Sequence, residues 1–309
     1  MKRFILKTLL LLLPIVIVAA SMEYLLRRIP NDYIYKKNYL DEHSEEIQIL
    51  ILGSSETYFG IDPAYFPQNT FNACYVSQSL DLDYEIFCKY QKRFEHLKII
   101  ILPISYHTLW GKLKNGVESW RMKNYALYYG INTKSLSDHS ELLNGKLGIN
   151  FQRLYNYYWE KKDDMSCSEL GWGTSFKSEI VNDLEETGRT AALRHTYHNI
   201  CSEENEKVLT ENMEILNSFA ELCNQKNAKL LLITVPVYQS YRKNMNEEQL
   251  NKMIETMTDF TAKHPNCQYI NWLENPDFVA RDFFDGNHLN NTGAKKLSEK
   301  LVCYIDSIK

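Results

Sequence analysis

The strongest constraint on this chain is the stretch Glu46-Ile-Gln-Ile-Leu-Ile-Leu-Gly-Ser-Ser-Glu-Thr-Tyr-Phe-Gly60. Its apolar run, Ile47 to Leu52, stops abruptly at Gly53, and Ser54 and Ser55 come next. A short apolar run bounded by glycine reads as a strand of a parallel sheet, buried on both faces. Open sheets of that kind bind ligands where their strands end at the carboxyl edge. A serine hydroxyl placed there projects into the crevice. Gly-Ser-Ser also suits a plain turn, and the stretch alone does not choose between the two.

The remaining chain repeats the pattern. Further apolar strands are read at 71–76, 98–104, 229–235 and 268–272. Between them, apolar residues recur at helical intervals over 79–94, 205–226, 247–263 and 291–308, the last helix capped at Asn291 or Thr292. Strands alternating with helices predict an α/β fold, a three-layer α/β/α sandwich with a mainly parallel sheet, over residues 46–309. The pattern loosens over about 110–200, an aromatic-rich stretch in a chain with 21 tyrosines. That stretch is read as an insertion covering the sheet edge. Its aromatic rings serve either as a platform for sugar rings or as core filling.

The N-terminus is of a different kind. After Met1-Lys-Arg, residues 4–22 are apolar apart from Lys7 and a few small polar residues. Nineteen helical residues rise about 28 Å, close to the roughly 30 Å of bilayer hydrocarbon. Residues 1–28 are therefore expected to be an uncleaved single-pass membrane anchor contacting lipid through 4–22. The alternative is a signal peptide cleaved after Val18-Ala19-Ala20. Basic residues flank both ends, so the positive-inside count does not orient the span. A basic N-terminus before one span favours an extracytoplasmic domain. Residues 29–45 are polar and read as a stalk.

A net charge of −4 without a basic block argues against a nucleic-acid partner. Seven cysteines, an odd number without a Cys-x-x-Cys pair, argue against a zinc site or a disulfide framework.

Chemistry concentrates in a second stretch, Asp282-Phe-Phe-Asp-Gly-Asn-His-Leu-Asn-Asn-Thr-Gly-Ala294. Asp285 and His288 stand three residues apart on a glycine-containing turn. That spacing lets the carboxylate reach one imidazole nitrogen while the other faces the crevice. A nucleophilic serine needs such a base, and the base needs a group that fixes its tautomer. In a parallel sheet the end of the first strand and this late loop share one edge, so Ser55, His288 and Asp285 are expected to converge. The bland reading is a hydrogen-bonded turn that caps the last helix. No second cluster of histidines or carboxylates lies nearby in sequence, so no metal site is expected.

These blocks resemble the SGNH/GDSL hydrolases. Leu50-Ile-Leu-Gly-Ser-Ser-Glu56 is similar to that family's first block, and Asp285-Gly-Asn-His288-Leu-Asn to its last. The resemblance implies that Ser55 is the nucleophile, with Ser54 in place of the family's aspartate. Asn72-Ala-Cys-Tyr-Val-Ser77 is similar to the second block, with Ser77 where a glycine is usual. The third block departs: Leu102-Pro-Ile-Ser105-Tyr-His107 stands where an asparagine side chain is usual. An oxyanion hole from Ser55, Ser77 and Ser105 is the corresponding expectation. With its N-terminal span the chain also resembles the D-alanyl-lipoteichoic acid biosynthesis protein D group and other anchored acyltransferase-like members. The resemblance implies a cofactor-free serine esterase or O-acyltransferase, acetyl being the usual acyl group. Its substrate would be a cell-envelope polysaccharide, and a membrane acyl-donor protein a further partner. The competing reading is a non-catalytic scaffold of an envelope glycan system, favoured by the altered third block.

Other residues are candidates for substrate contact. His107 follows the second strongly apolar strand and borders the same edge, and Tyr238 and Tyr241 follow the third. Arg194 and His195 form a basic pair at the end of the insertion, either steering an anionic substrate or lying on an exposed helix face.

Overall fold

The computed structural model describes residues 1–180 and 182–308. In chain order the first elements are α1 (Lys2–Leu26), α2 (Asp32–His43), β1 (Ile49–Ile51), α3 (Ser55–Gly60), β2 (Thr70–Asn72), α4 (Leu80–Tyr90) and β3 (Ile99–Pro103). A single turn α5 (Met122–Asn124), α6 (Glu141–Asn144), α7 (Leu147–Tyr158), α8 (Leu184–His195) and α9 (Glu203–Gln225) come next. The chain closes with β4 (Lys229–Thr234), α10 (Gln239–Lys243), α11 (Glu247–Lys263), β5 (Cys267–Asn271), β6 (Phe283–Asp285), β7 (His288–Leu289) and α12 (Asn291–Ser307). These elements form two compact units.

The larger unit, residues 39–116 and 166 onward, is built on a five-stranded sheet in the order β2-β1-β3-β4-β5. Every pairing is parallel, with Ile51 opposite both Asn72 and Ile101, and Ile233 opposite Pro103. Because side chains alternate along a strand, each strand feeds two cores. Ile49, Ile51, Ile99, Ile101, Leu231 and Ile233 join Leu297, Leu301 and Ile305 of α12 in one cluster. Leu50, Ile100, Leu102, Leu230 and Leu232 point to the opposite face and are as deeply buried. There α9 packs on β4 and on α4, with Phe87 and Phe219 5.5 Å apart between ring centroids. The architecture is thus an α/β fold with a parallel central sheet and flanking helices.

Several helix starts, among them those of α11 and α12, carry a side-chain cap. Asn246 accepts from Gln249 N at 3.0 Å to open α11. The cap of α12 is Asn290, one residue before the expected Asn291 or Thr292. Its Oδ1 accepts from the N–H groups of Thr292 (2.9 Å) and Gly293 (3.1 Å), which no side chain further along can reach.

The smaller unit, residues 1–38 and 117–165, gathers α1 with α5, α6 and α7. Among the described residues α1 is the one helix long and apolar enough to cross a membrane. The segment read as a stalk holds α2 instead of extended chain. Within α2, Tyr33, Lys36 and Leu40 are all buried, at intervals of three and four, which is a helical stripe hidden in a polar composition. The expected insertion at 110–200 is divided: residues 117–165 belong with α1, and residues from 166 belong with the sheet.

The turn after β1 has no room for a side chain. Gly53 has φ +118°, and a Cβ there would lie 2.1 Å from Pro103 Cγ at the end of β3. Gly53→Ala therefore adds backbone strain to a clash and is expected to cost about 2–4 kcal/mol. A urea titration should show a lower midpoint at unchanged slope; an unaltered midpoint would mean that the turn is slacker than its geometry.

Candidate active site

The turn at Gly53 sets the direction of the chain into the site. Leu52 N–H still pairs with Ile101 O at 3.0 Å, and the chain then swings into α3, whose first residue is Ser55. Ser54 and Ser55 diverge. Ser54 Oγ donates to Glu56 Oε2 at 3.2 Å, whereas Ser55 Oγ lies 2.8 Å from His288 Nε2.

The glycine-containing turn expected between the last strand and the last helix is a hairpin, and it places His288. β6 and β7 pair antiparallel with Asp285 directly opposite His288, joined through Gly286 and Asn287. Closing a two-residue hairpin sets the carboxylate beside the imidazole. Nδ1 of His288 is 2.9 Å from both Asp285 oxygens. Asp285 Oδ1 also accepts from the backbone N–H of His288 (2.9 Å) and Asn287 (3.0 Å). Burial disfavours charge on Asp285, but the His288 imidazole and these two N–H groups hold its carboxyl below the usual range. An ionised Asp285 accepts a hydrogen bond from Nδ1–H, so the ring proton stays on Nδ1 and Nε2 is an acceptor facing the Ser55 hydroxyl.

The second half of the expected insertion braces this hairpin. Gly286 and Gly188 of α8 touch so closely that a Cβ on Gly286 would lie 2.0 Å from Gly188 Cα. Gly286 N–H donates to Thr187 Oγ1 at 3.1 Å, and Asn182 Nδ2 donates to Phe284 O at 2.7 Å. Phe176 stacks between Phe59 (3.6 Å) and Phe284 (3.9 Å) and meets the His288 ring at 5.3 Å, near perpendicular. One wall beside the imidazole is therefore apolar.

A second support lies under the turn that leads into Ser55. Asp83, in the first turn of α4, is buried and accepts from Gly53 N at 2.7 Å and from Gln78 Nε2 at 2.6 Å. It ties the turn before Ser55 to the loop after β2. Desolvation pushes its carboxyl up to about 7, against the hydrogen bonds from Gln78 and Gly53. Ser77, in the same loop, has φ +60°, the left-handed conformation that glycine adopts without steric cost. Asn72 completes the brace, donating to Thr57 O (3.0 Å) and Ile61 O (2.9 Å) at the end of α3.

The third candidate oxyanion donor is committed elsewhere. Ser105 Oγ donates to Glu56 Oε2 and Ser105 N–H to Thr108 Oγ1, so both its protons are used within the protein. Glu56 itself is buried, held by Ser54 and Ser105.

The outlying candidates separate. The rings of His107 and His195 lie 4.2 Å apart. Desolvation lowers the pKa of both, so both are neutral near pH 7. His195 Nδ1 bonds the Tyr241 hydroxyl at 2.7 Å. Tyr241 is fully buried and does not line the edge as expected; burial keeps its hydroxyl protonated. His107 Nδ1 is buried without a hydrogen-bond partner among the described residues. Arg194 is exposed. Tyr238 is half-buried, packing on Phe283 at 5.7 Å while its N–H holds Gly286 O at 2.9 Å. Sequence reasoning missed Glu56, Asp83 and Phe176. Glu56 stood in view beside Ser55; the other two carry no local signal.

No family model and no curated protein matches the sequence. Among solved structures the chain is similar to a candidate acylhydrolase from Bacteroides fragilis NCTC 9343, with TM-score 0.43, 9% identity, and 88% of this chain and 96% of that one covered. It is also similar to a GDSL-like lipase from Bacteroides thetaiotaomicron VPI-5482, with TM-score 0.42, 10% identity and coverage of 90% and 100%. A candidate platelet activating factor from Streptococcus pneumonia gives TM-score 0.45, 11% identity and coverage of 96% and 98%.

Asp83 makes a pH prediction. Its folded pKa, about 7, stands above the unfolded carboxylate value of 3.8. Between those values the folded chain keeps a proton that the unfolded chain has lost, so stability falls as pH rises through that window and then levels. Asp83→Asn has no such proton but can accept the same two bonds. Its Tm relative to wild type should therefore rise between about pH 4.5 and about pH 8. Thermal melts of both proteins across that range check this, and an equal offset at every pH would refute it.

Proposed function

We propose that this protein is a serine esterase or O-acyltransferase of the SGNH type, anchored by α1. Its substrate would be an acyl ester, most simply acetyl, on a cell-envelope polysaccharide. The observation that carries the reading is the continuous relay Ser55 Oγ–His288 Nε2 (2.8 Å) and His288 Nδ1–Asp285 (2.9 Å). A serine, a base and a tautomer-fixing carboxylate at hydrogen-bond distance are what acyl transfer requires.

Ser55 Oγ attacks the acyl carbonyl as its proton passes to His288 Nε2. Asp285 stabilises the imidazolium, and the carbonyl oxygen gathers negative charge. The backbone N–H groups of Ser55 and Ser77 are the proposed oxyanion donors. Collapse expels the sugar alkoxide, which takes the proton from Nε2 and leaves an acyl-Ser55 ester. Water or a sugar hydroxyl, deprotonated by His288, then attacks that ester and regenerates Ser55. The first acceptor gives hydrolysis and the second gives transfer. The apolar span of α1 supports placement at a membrane; an extracytoplasmic larger unit and a membrane protein as acyl source are further parts of the proposal.

A fluorophosphonate probe tests the assignment directly. Ser55→Ala should abolish labelling and Ser54→Ala should retain it, since only Ser55 faces the imidazole. With p-nitrophenyl acetate, Asp285→Asn should lower kcat by about 10²–10⁴ with little change in Tm, the upper figure being that of the same change in a serine protease. His288→Ala should cost more. A scaffold without activity would show neither labelling nor an acyl-enzyme by mass spectrometry with several donors.

A further inference from the structure

α7 is amphipathic in the inverted sense. Leu147, Phe151, Tyr155 and Tyr158 recur at intervals of four, four and three, which is one helical face, and all four are exposed, Leu147 by 61% and Phe151 by 57%. Asn150 and Arg153 face inward. Asn150 is 1% exposed and donates to Glu141 O at 3.2 Å. Arg153 donates to Glu141 Oε2 at 2.9 Å and to Asp164 Oδ2 at 2.8 Å. Trp159, immediately after the helix, is 77% exposed. Water-facing protein surfaces rarely carry a contiguous apolar stripe of this kind.

The stripe is continuous with the apolar span. The Tyr158 hydroxyl donates to Leu25 O, in the last turn of α1, at 3.1 Å. One turn back, the Glu23 carboxylate accepts from Ser140 Oγ (2.8 Å), Leu142 N–H (3.0 Å) and Glu141 N–H (3.1 Å) at the start of α6. Arg27 donates to His139 O at 2.7 Å. The end of α1 is thereby bolted to α6 and α7. At the same level Arg28 lies over the exposed Tyr24 ring, 4.5 Å from its centroid. Basic and amphipathic aromatic side chains concentrate at membrane–water interfaces. If residues 4–22 occupy hydrocarbon, the last turn of α1 sits at the headgroups, and so does α7.

We propose that α7 and Trp159 lie in the headgroup region of the bilayer that α1 crosses, with the Leu147–Phe151–Tyr155–Tyr158 stripe against the acyl chains. The ligand is lipid rather than protein because α1 itself is unburied along its apolar window, and because the stripe ends in the tyrosines and tryptophan typical of an interface. The membrane surface would then be gripped at two places, a span and a surface helix. This inference rests on α1 entering a bilayer and is independent of the chemistry of Ser55.

The test uses the full chain in lipid nanodiscs containing phosphatidylcholine brominated near the glycerol end of its acyl chains, with tryptophan emission as the readout. Bromine should quench a component of the wild-type emission that Trp159→Phe removes. Phe151→Trp in the Trp159→Phe background should restore a quenched component that aqueous iodide does not reach. Unchanged bromine quenching in Trp159→Phe, together with iodide-accessible emission from the Phe151→Trp variant, would overturn the proposal. That result would also be the one expected of a surface reserved for a partner protein. Flotation of the chain with liposomes separates the premise: failure to float refutes the span, whereas flotation with unquenched tryptophans refutes only the surface helix.

Discussion

The turn at Gly53 is the constraint on which the larger unit depends. β1 runs between β2 and β3 in a parallel sheet and must end without a side chain, because Pro103 of β3 already fills the space a Cβ would take. Only after that turn can α3 start at once, and only that start brings Ser55 within 2.8 Å of a residue 233 positions later. The sheet supplies the rigidity; β1 and β3 are buried on both faces and register with their neighbours without a break. The Ser55 hydroxyl on that edge is positioned by the ends of regular elements rather than by a long loop.

Three carboxylates surround this turn, and their environments divide their roles. Asp285 receives the imidazole and two backbone N–H groups, so it stays ionised and orients His288. Asp83 is buried with two neutral donors, and desolvation raises it to about 7. It joins two loops and reaches no reacting atom. Glu56 accepts from Ser54 and Ser105, which consumes the Ser105 hydroxyl. Similar side chains on one sheet edge thus serve three ends, decided by what donates to each.

The aromatic-rich stretch has two destinations. Its second half packs α8 against the β6–β7 hairpin through a glycine–glycine contact and lays Phe176 beside His288. That hairpin, only two paired positions long, would be marginal alone. Its first half joins α1 and turns polar side chains inward around Glu141, which Lys123, Arg153 and Tyr128 all contact. A buried ion cluster of this kind lets the outer face of α7 be apolar.

Local pattern alone determined the alternation of buried strands and helices, the apolar N-terminal helix, and the two blocks holding Ser55 and the Asp285–His288 pair. Those features have short-range causes: periodicity of two or 3.6, a glycine where a strand must stop, and a three-residue spacing that a turn converts into a contact. Helix α2 escaped because its stripe of Tyr33, Lys36 and Leu40 is interrupted by polar residues and contains a lysine. Tertiary structure decided the rest. Nothing near Asp83 in the sequence announces that it will meet Gly53, thirty residues earlier. Nothing marks Gly188 as the partner of Gly286, or Tyr241 as buried against His195. Each of those contacts joins segments far apart in the chain, and burial, which sets the protonation of Asp83, His195 and Tyr241, exists only once the distant segments have packed.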